Sequence, residues 1–268
     1  MKMHCPLTLH RSPLQGLYSK GEIDFRVCKE CGLVFRKNFP DDDELTEIYK
    51  NSYLPNNIES GGTQQESGSY AVDLYSRYLM KYFIKKNYKV LDFGAGSGEF
   101  VEKLKQNNIQ AEGLEFSNDA RSYCRTHRCF SLLSELNDVS ANSVDIVIMI
   151  EVIEHLTDLH GTLKNIYRVM KPGGYIFITT PNRKGFRALI EGGFWREAQK
   201  KFHLFLFDNR SLKFHLEACG YKKISRIKFS PIPKVGLINY LQGRIFQLIG
   251  LHGSLCMVAK KPHSGENL

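Results

Sequence analysis

The sequence predicts an α/β fold, a mostly parallel sheet with helices on both faces, preceded by a small β-hairpin head. Three observations carry this. From Tyr70 onward, short apolar strands alternate with helices, the pattern of a sheet covered on two sides. A glycine-rich segment, Gly94-Ala95-Gly96-Ser97-Gly98, follows one strand directly and opens a helix. Before about residue 40 the pattern differs, with two short apolar runs flanking Cys28-Lys29-Glu30-Cys31-Gly32.

Taken in order, Ile23 to Val27 and Leu33 to Phe35 are the arms of the hairpin, with its turn at the CxxC. Asp41 to Lys50 reads as a short helix whose acidic start suits its N-terminal dipole. Residues 55–69, rich in Asn, Gly and Ser, read as a flexible linker. The regular series then runs helix 70–86, strand 88–93, helix 98–107, strand 110–115, helix 117–127 and a weak strand near 129–132. Strand 144–150, helix 158–170 and strand 174–180 complete it. After Pro181-Asn182 the regularity breaks. Residues 183–209 are aromatic and basic and read as a lid; helix 210–219 stops at Gly220, and strand 222–229 follows. An insert over 230–253, punctuated by Pro231 and Pro233 and amphipathic from Leu237 to Leu251, precedes a last strand, Leu255 to Ala259. The organisation is thus a head over 1–40, a helix and linker over 41–69, a main domain over 70–260 and a tail over 261–268.

Composition narrows the function classes. With 42% hydrophobic and 24% charged residues, the chain has the balance of an ordinary globular protein, which excludes a disordered or fibrous class. Its longest dense apolar run, Ile146 to Ile150, is a buried strand and too short for a membrane span, and the N-terminus lacks the apolar core of a secretory signal. A cytoplasmic enzyme is expected. The net charge of +9 favours anionic partners, but the cations are dispersed and read equally as a solvated surface, so nucleic acid is disfavoured as a partner. Seven cysteines without a signal sequence do not make a disulfide framework.

Strand 88–93 ends in Asp92, and the glycines after it let the backbone turn sharply and approach a ligand closely. The sixth position of the loop is Glu99, where a dinucleotide fingerprint has Gly or Ala. A pyrophosphate there would meet a carboxylate, so a cofactor without phosphate fits better. Glu115, at the end of the next strand, stands where an acidic residue accepts ribose hydroxyls.

These residues resemble the class I S-adenosylmethionine methyltransferases. Val90 to Gly98 is similar to their first motif, Asn142 to Val147 to the fourth-strand motif, and Val169-Met170-Lys171-Pro172-Gly173-Gly174 to the turn before the fifth strand. The resemblance runs from about residue 70 to 260 and implies a Rossmann-like, seven-stranded sheet with its last strand antiparallel. It implies that Asp92, Gly94, Gly96 and Gly98 hold the methionine end of S-adenosylmethionine and Glu115 the ribose. The adenine would lie near Leu132 and Leu133, where the family often has an acidic residue; Ala95, Phe116 and Ile150 join the cofactor set at the same strand ends.

Glu151-Val152-Ile153-Glu154-His155 follows strand 144–150 directly. If it begins a helix, Glu151, Glu154 and His155 converge on one face and can hold Mg²⁺ or Mn²⁺. The stretch resembles a segment of the ubiquinone-biosynthesis O-methyltransferases and of the small-RNA 2′-O-methyltransferases. In the latter, two glutamates and two histidines bind a metal, the second histidine following a Thr-Pro-Asn strand end. Thr180-Pro181-Asn182 and His203 occupy the comparable places. Glu151, Glu154, His155 and His203 are therefore the candidate catalytic residues, with a metal or as plain acid–base groups; His203, among phenylalanines, also reads as a core histidine.

The head resembles the zinc-ribbon-like head of some bacterial methyltransferases in Cys28 to Phe35, but Cys5 is followed by Thr8 where a second cysteine belongs. Cys5, Cys28 and Cys31, with His10 or His4 as fourth ligand, would bind Zn²⁺; the alternative is a hairpin that folds alone. For the acceptor, aromatics and cations in 183–209 suit a small molecule, sugar or glycan, carrying an anionic group, or a lipid-linked intermediate of bacterial biosynthesis; the aromatics read equally as the packing face of the lid. A metal-dependent RNA 2′-O-methyltransferase and a non-catalytic cofactor-binding scaffold are the alternatives. The stretch Leu237 to Leu251 offers peripheral membrane contact, or core or dimer packing.

Overall fold

The computed structural model of the chain describes residues 14–20, 23–37, 44, 63–232, 237–263 and 265. In the head, β1 (Leu14–Lys20), β2 (Ile23–Cys28) and β3 (Val34–Arg36) form an antiparallel meander. The expected hairpin is the β2–β3 pair. Its turn closes where Cys28 N–H donates to Leu33 O and Gly32 N–H to Cys28 O, both at 2.9 Å, with Gly32 at φ +75°. Apart from Glu44, the helix expected over 41–50 and the linker up to residue 62 lie outside the described residues.

The main domain begins with α1 (Thr63–Tyr82), seven residues earlier than its apolar stripe suggests, so the end of the expected linker is helical. There follow β4 (Lys89–Phe93), α2 (Glu99–Gln106), β5 (Gln110–Leu114), α3 (Asn118–His127), β6 (Val144–Ile150), α4 (Leu159–Val169) and β7 (Met170–Pro181). The less regular half holds α5 (Phe186–Glu191), α6 (Arg196–Gln199), β8 (Phe205–Leu206), α7 (Asn209–Ala218), β9 (Lys222–Ile227), α8 (Leu237–Ile249) and β10 (Ser254–Lys260).

The principal sheet has the order β5-β4-β6-β7-β10-β9; its first four strands are parallel, and β10 runs antiparallel to both neighbours. The sheet has six strands among the described residues, not seven. The weak strand expected near 129–132 survives only as a parallel bridge between Leu114 and Leu133. Cys129 at φ +60° breaks extended backbone there, and exposed Ser131 has no apolar face to bury.

Strand residues alternate between two cores. Along β6, Ile146 and Ile148 enter the core shared with α1 and α2, while Val147 and Met149 enter the core shared with α4 and α7. A strand buried on both faces reads as a continuous apolar run, which is why β6 and β7 were legible. Helix α4 presents Leu159, Leu163, Ile166 and Val169 to that second core, and Asp158 caps it by accepting from Gly161 N–H at 2.9 Å.

The segment expected as a lid is tied to the head. β8 pairs with β3, Val34 opposite Leu206, making one four-stranded sheet β1-β2-β3-β8. Trp195 and Leu206 pack with Phe25 and Val34, while Phe205 and Phe207 join the main core beside Cys28, Cys31 and Leu33. Three of the six aromatics of 183–209, Trp195, Phe205 and Phe207, are thus packing groups. Cys28 and Cys31 are buried in that core, and their proposed zinc partners Cys5 and His10 lie outside the described residues.

Candidate active site

The glycine loop leaves the C-terminal end of β4 with Gly94, Gly96 and Gly98 all in the left-handed region, at φ +82°, +52° and +80°. Two of them are also sterically required. A Cβ on Gly94 would lie 2.5 Å from Val152 Cγ2, and one on Gly98 would lie 2.6 Å from Cys124 Sγ. Around Gly96 no atom comes within 4 Å of such a Cβ, so the middle of the loop opens onto space for a ligand. The carboxylate of Glu115 bridges the loop to the next helix, accepting from Gly96 N–H and from Ser117 N–H, both at 2.8 Å. Two amides fix its direction and leave lone pairs for further donors.

Asp92 is buried behind the loop; burial first, then the charge of Glu115, raises its pKa to about 7. Phe116 is 60% exposed, with its ring edge-on to Phe93 at 5.7 Å. Leu132 lies beneath Gly113, whose Cα leaves no room for a side chain, and Leu133 is joined to β5 through Leu133 N–H to Gly113 O at 2.8 Å. Ile150 is half-buried at the end of β6. The residues expected around a cofactor therefore gather at the C-terminal ends of β4, β5 and β6, where open parallel sheets bind ligands.

After β6 the expected helix does not form. Glu151 takes φ +54°, and only a short 3₁₀ turn follows, Ile153–His155. With the reversal at Glu151, the two carboxylates take different partners: Thr179 Oγ1 donates to Glu151 Oε1 at 3.0 Å, whereas Thr180 Oγ1 donates to Glu154 Oε2 at 2.9 Å. The geometry thus corrects the single-face arrangement of Glu151, Glu154 and His155. Glu154, His155 and His203 do converge, each offering a ligand atom within 4.8 Å of the others.

His203 is brought there by the docked segment. Leu204 N–H donates to Glu154 O at 2.8 Å, and the His155 and His203 rings lie 4.8 Å apart. His155 Nδ1 faces Phe202 O at 2.9 Å, which as a donor leaves Nε2 with the lone pair, 3.8 Å from Glu154 Oε1. Glu154 Oε1 and His203 Nδ1 are buried without a hydrogen-bond partner. Burial raises the pKa of Glu151 and of Glu154, their proximity adding to it at Glu151. Burial lowers His155 to about 4, and burial and His155 together lower His203 to about 2. Glu197 and Lys200 edge this cluster, Glu197 Oε2 lying 3.9 Å from His203 Nδ1. Lys200 belongs to the cations of the 183–209 segment, whereas Glu197 carries no signal in the sequence. Thr179 and Thr180 did leave a signal, a polar pair closing an apolar strand.

A family model for the methyltransferase domain matches residues 65–226. The chain belongs to the methyltransferase-domain family. Among curated relatives, this methyltransferase is 30% identical over 105 residues to the ubiquinone biosynthesis O-methyltransferase of Idiomarina loihiensis, covering 35% of this chain and 43% of that one. It is 32% identical over 107 residues to the mitochondrial ubiquinone biosynthesis O-methyltransferase of Mus musculus, covering 35% and 29%. The chain spans less than half the length of these relatives. In fold, the methyltransferase is similar to a SAM-dependent methyltransferase from Archaeoglobus fulgidus, with TM-score 0.55 and 24% identity over 71% of this chain and 94% of that one. It is also similar to Haemonchus contortus phosphoethanolamine N-methyltransferase 2 in complex with S-adenosyl-L-methionine, with TM-score 0.53 and 19% identity over 83% and 58%. A Rossmann-like methyltransferase domain is thus the unit that carries the loop and the cluster.

Proposed function

We propose that this methyltransferase transfers the methyl group of S-adenosylmethionine to a hydroxyl of a small molecule, sugar, glycan or lipid-linked intermediate. The observation that carries this reading is the contact of Gly94 with Val152, which sets the Glu151–His155 turn directly against the cofactor loop. In the proposal, Asp92, Gly94, Ala95, Gly96 and Gly98 seat the methionine end, Glu115 takes the ribose hydroxyls, and Phe116, Leu132, Leu133 and Ile150 border the adenine.

Methyl transfer is an in-line displacement at a carbon already activated by sulfonium, so alignment and exclusion of water come first. A hydroxyl is a poor nucleophile and needs its proton removed. Without an ion, His155, kept neutral by burial, offers Nε2 as the acceptor for that proton. Glu151 and Glu154, held in low dielectric, keep a proton near neutrality and can pass one on.

The two orphaned atoms, Glu154 Oε1 and His203 Nδ1, fit a divalent cation held by Glu154, His155 and His203. One oxygen with two imidazoles suits Mn²⁺ better than Mg²⁺. When bound, such an ion supplies Lewis acidity that lowers the pKa of the acceptor hydroxyl. Dialysis against EDTA should abolish turnover, and Mn²⁺ should restore it. Full activity in chelator would remove the ion and leave His155 as a simple base.

A further inference from the structure

Helix α8 is mounted with its apolar stripe outward. Leu241, Ile245, Leu248 and Ile249, at helical spacing along one face, are 50–63% exposed. The one polar side chain buried on this helix is Gln247, 4% exposed, whose Nε2 donates to Ser230 O at 2.6 Å. The polar contact holds the helix in this orientation, so its apolar side cannot be turned into the core without losing it.

The exposed face continues onto α5. Phe186 stacks on Phe246 of α8 at 4.8 Å, and Phe186 N–H donates to Leu251 O at 2.8 Å. One turn further along α5, Leu189 and Ile190 are 54% and 68% exposed. Two helices thus present one apolar face larger than scattered surface residues would give. Its surroundings are cationic. Exposed Lys184 and Arg187 stand at the start of α5, and Arg244 lies one turn from Leu241 and Leu248. No Asp or Glu occurs between residues 237 and 253, and Glu191 is the one carboxylate on α5.

We infer that this face is a docking surface for an anionic lipid bilayer, with α8 and α5 lying in the plane of the interface. Apolar side chains between cations match acyl chains beneath acidic headgroups, and the cations are placed to draw the face toward that charge. A partner protein of the same kind as this chain would set those cations against their own copies, which charge disfavours. The inference is independent of which acceptor the active site takes.

The test is flotation of the full chain with vesicles of phosphatidylcholine alone and of phosphatidylcholine with phosphatidylglycerol. The expected result is co-flotation with the acidic vesicles only, weakening as salt is raised. The double substitution Ile245→Glu and Leu248→Glu should lower that binding about tenfold or more, with melting temperature and S-adenosylmethionine binding retained. Should this variant fail to fold, the exposed pair Lys184→Glu and Arg187→Glu gives a second reading, again a loss of binding to acidic vesicles. Absence of flotation, equal flotation with neutral vesicles, or binding that neither variant weakens would overturn the inference. A lipid-free dimer that the glutamates dissociate would overturn it too, assigning the face to a second copy.

Discussion

Gly94 and Val152 are in such close contact that a Cβ on the glycine would stand 2.5 Å from Val152 Cγ2. The glycine loop and the turn that bears Glu154 and His155 are therefore packed directly against each other. A side chain at residue 94 would push the Glu154–His155 turn away from the loop, whereas one at residue 96 would enter the open space beside it.

The two glycines should separate stability from binding. Gly94→Ala combines a left-handed alanine with overlap against a β-branched neighbour and should cost roughly 2–4 kcal/mol of stability. Gly96→Ala carries only the backbone cost, about 1–2 kcal/mol. Thermal denaturation should rank them in that order, while calorimetry finds S-adenosylmethionine binding lost in Gly96→Ala. Equal melting temperatures would contradict the contact with Val152.

Glu115→Gln should keep the fold and weaken the cofactor by about 1.5–3 kcal/mol, the worth of hydrogen bonds to a charged group. Gly96 N–H and Ser117 N–H donate to different oxygens of the carboxylate, so the glutamine keeps one of these bonds and its NH2 group replaces the other acceptor. An unchanged dissociation constant would remove Glu115 from the cofactor site.

Asp92 should make cofactor affinity depend on pH. Its raised pKa of about 7 means that the unliganded protein holds a proton there below neutrality. The group's contribution to stability is present below its unfolded value of 3.8 and is lost as pH rises through about 7. A cationic cofactor favours the ionised form, so affinity should rise as pH passes upward through that value, with proton release on binding. Asp92→Asn should flatten the profile; a flat profile in the unaltered protein would contradict the assignment.

His215 should give the opposite sign in stability. It is fully buried on α7, with Nδ1 2.9 Å from His160 Nε2, and burial followed by His160 lowers its pKa to about 3. The stability it confers is complete above the unfolded value of 6.5 and is lost as pH falls from there toward 3. Between about pH 6.5 and pH 5 that amounts to roughly 2 kcal/mol. Melting temperature should drop over this window, and less steeply in His215→Gln.

The sequence made the parallel strands and the glycine loop legible because both depend on neighbours close along the chain. Val144 to Ile150 is apolar throughout since each side chain enters one core or the other. The start of α1 was less legible, because Thr63 to Ser69 carries no apolar stripe. Three features depended on distant partners. Val34 pairs with Leu206 across most of the chain, and no local pattern marks two such short strands. Glu151 leaves the face of Glu154 because one residue takes a left-handed conformation, which a glutamate does not announce. The periodicity of α8 gives an apolar side, but Gln247 determines which way that side points.

The most direct measurement of the central claim is transfer of labelled methyl from S-adenosylmethionine into fractionated cell extract, with and without chelator. Label is expected in a small-molecule, sugar or lipid fraction as an alkali-stable ether. That label should be lost in EDTA and in Gly96→Ala. No incorporation despite bound cofactor, or label confined to RNA or protein, would contradict that claim.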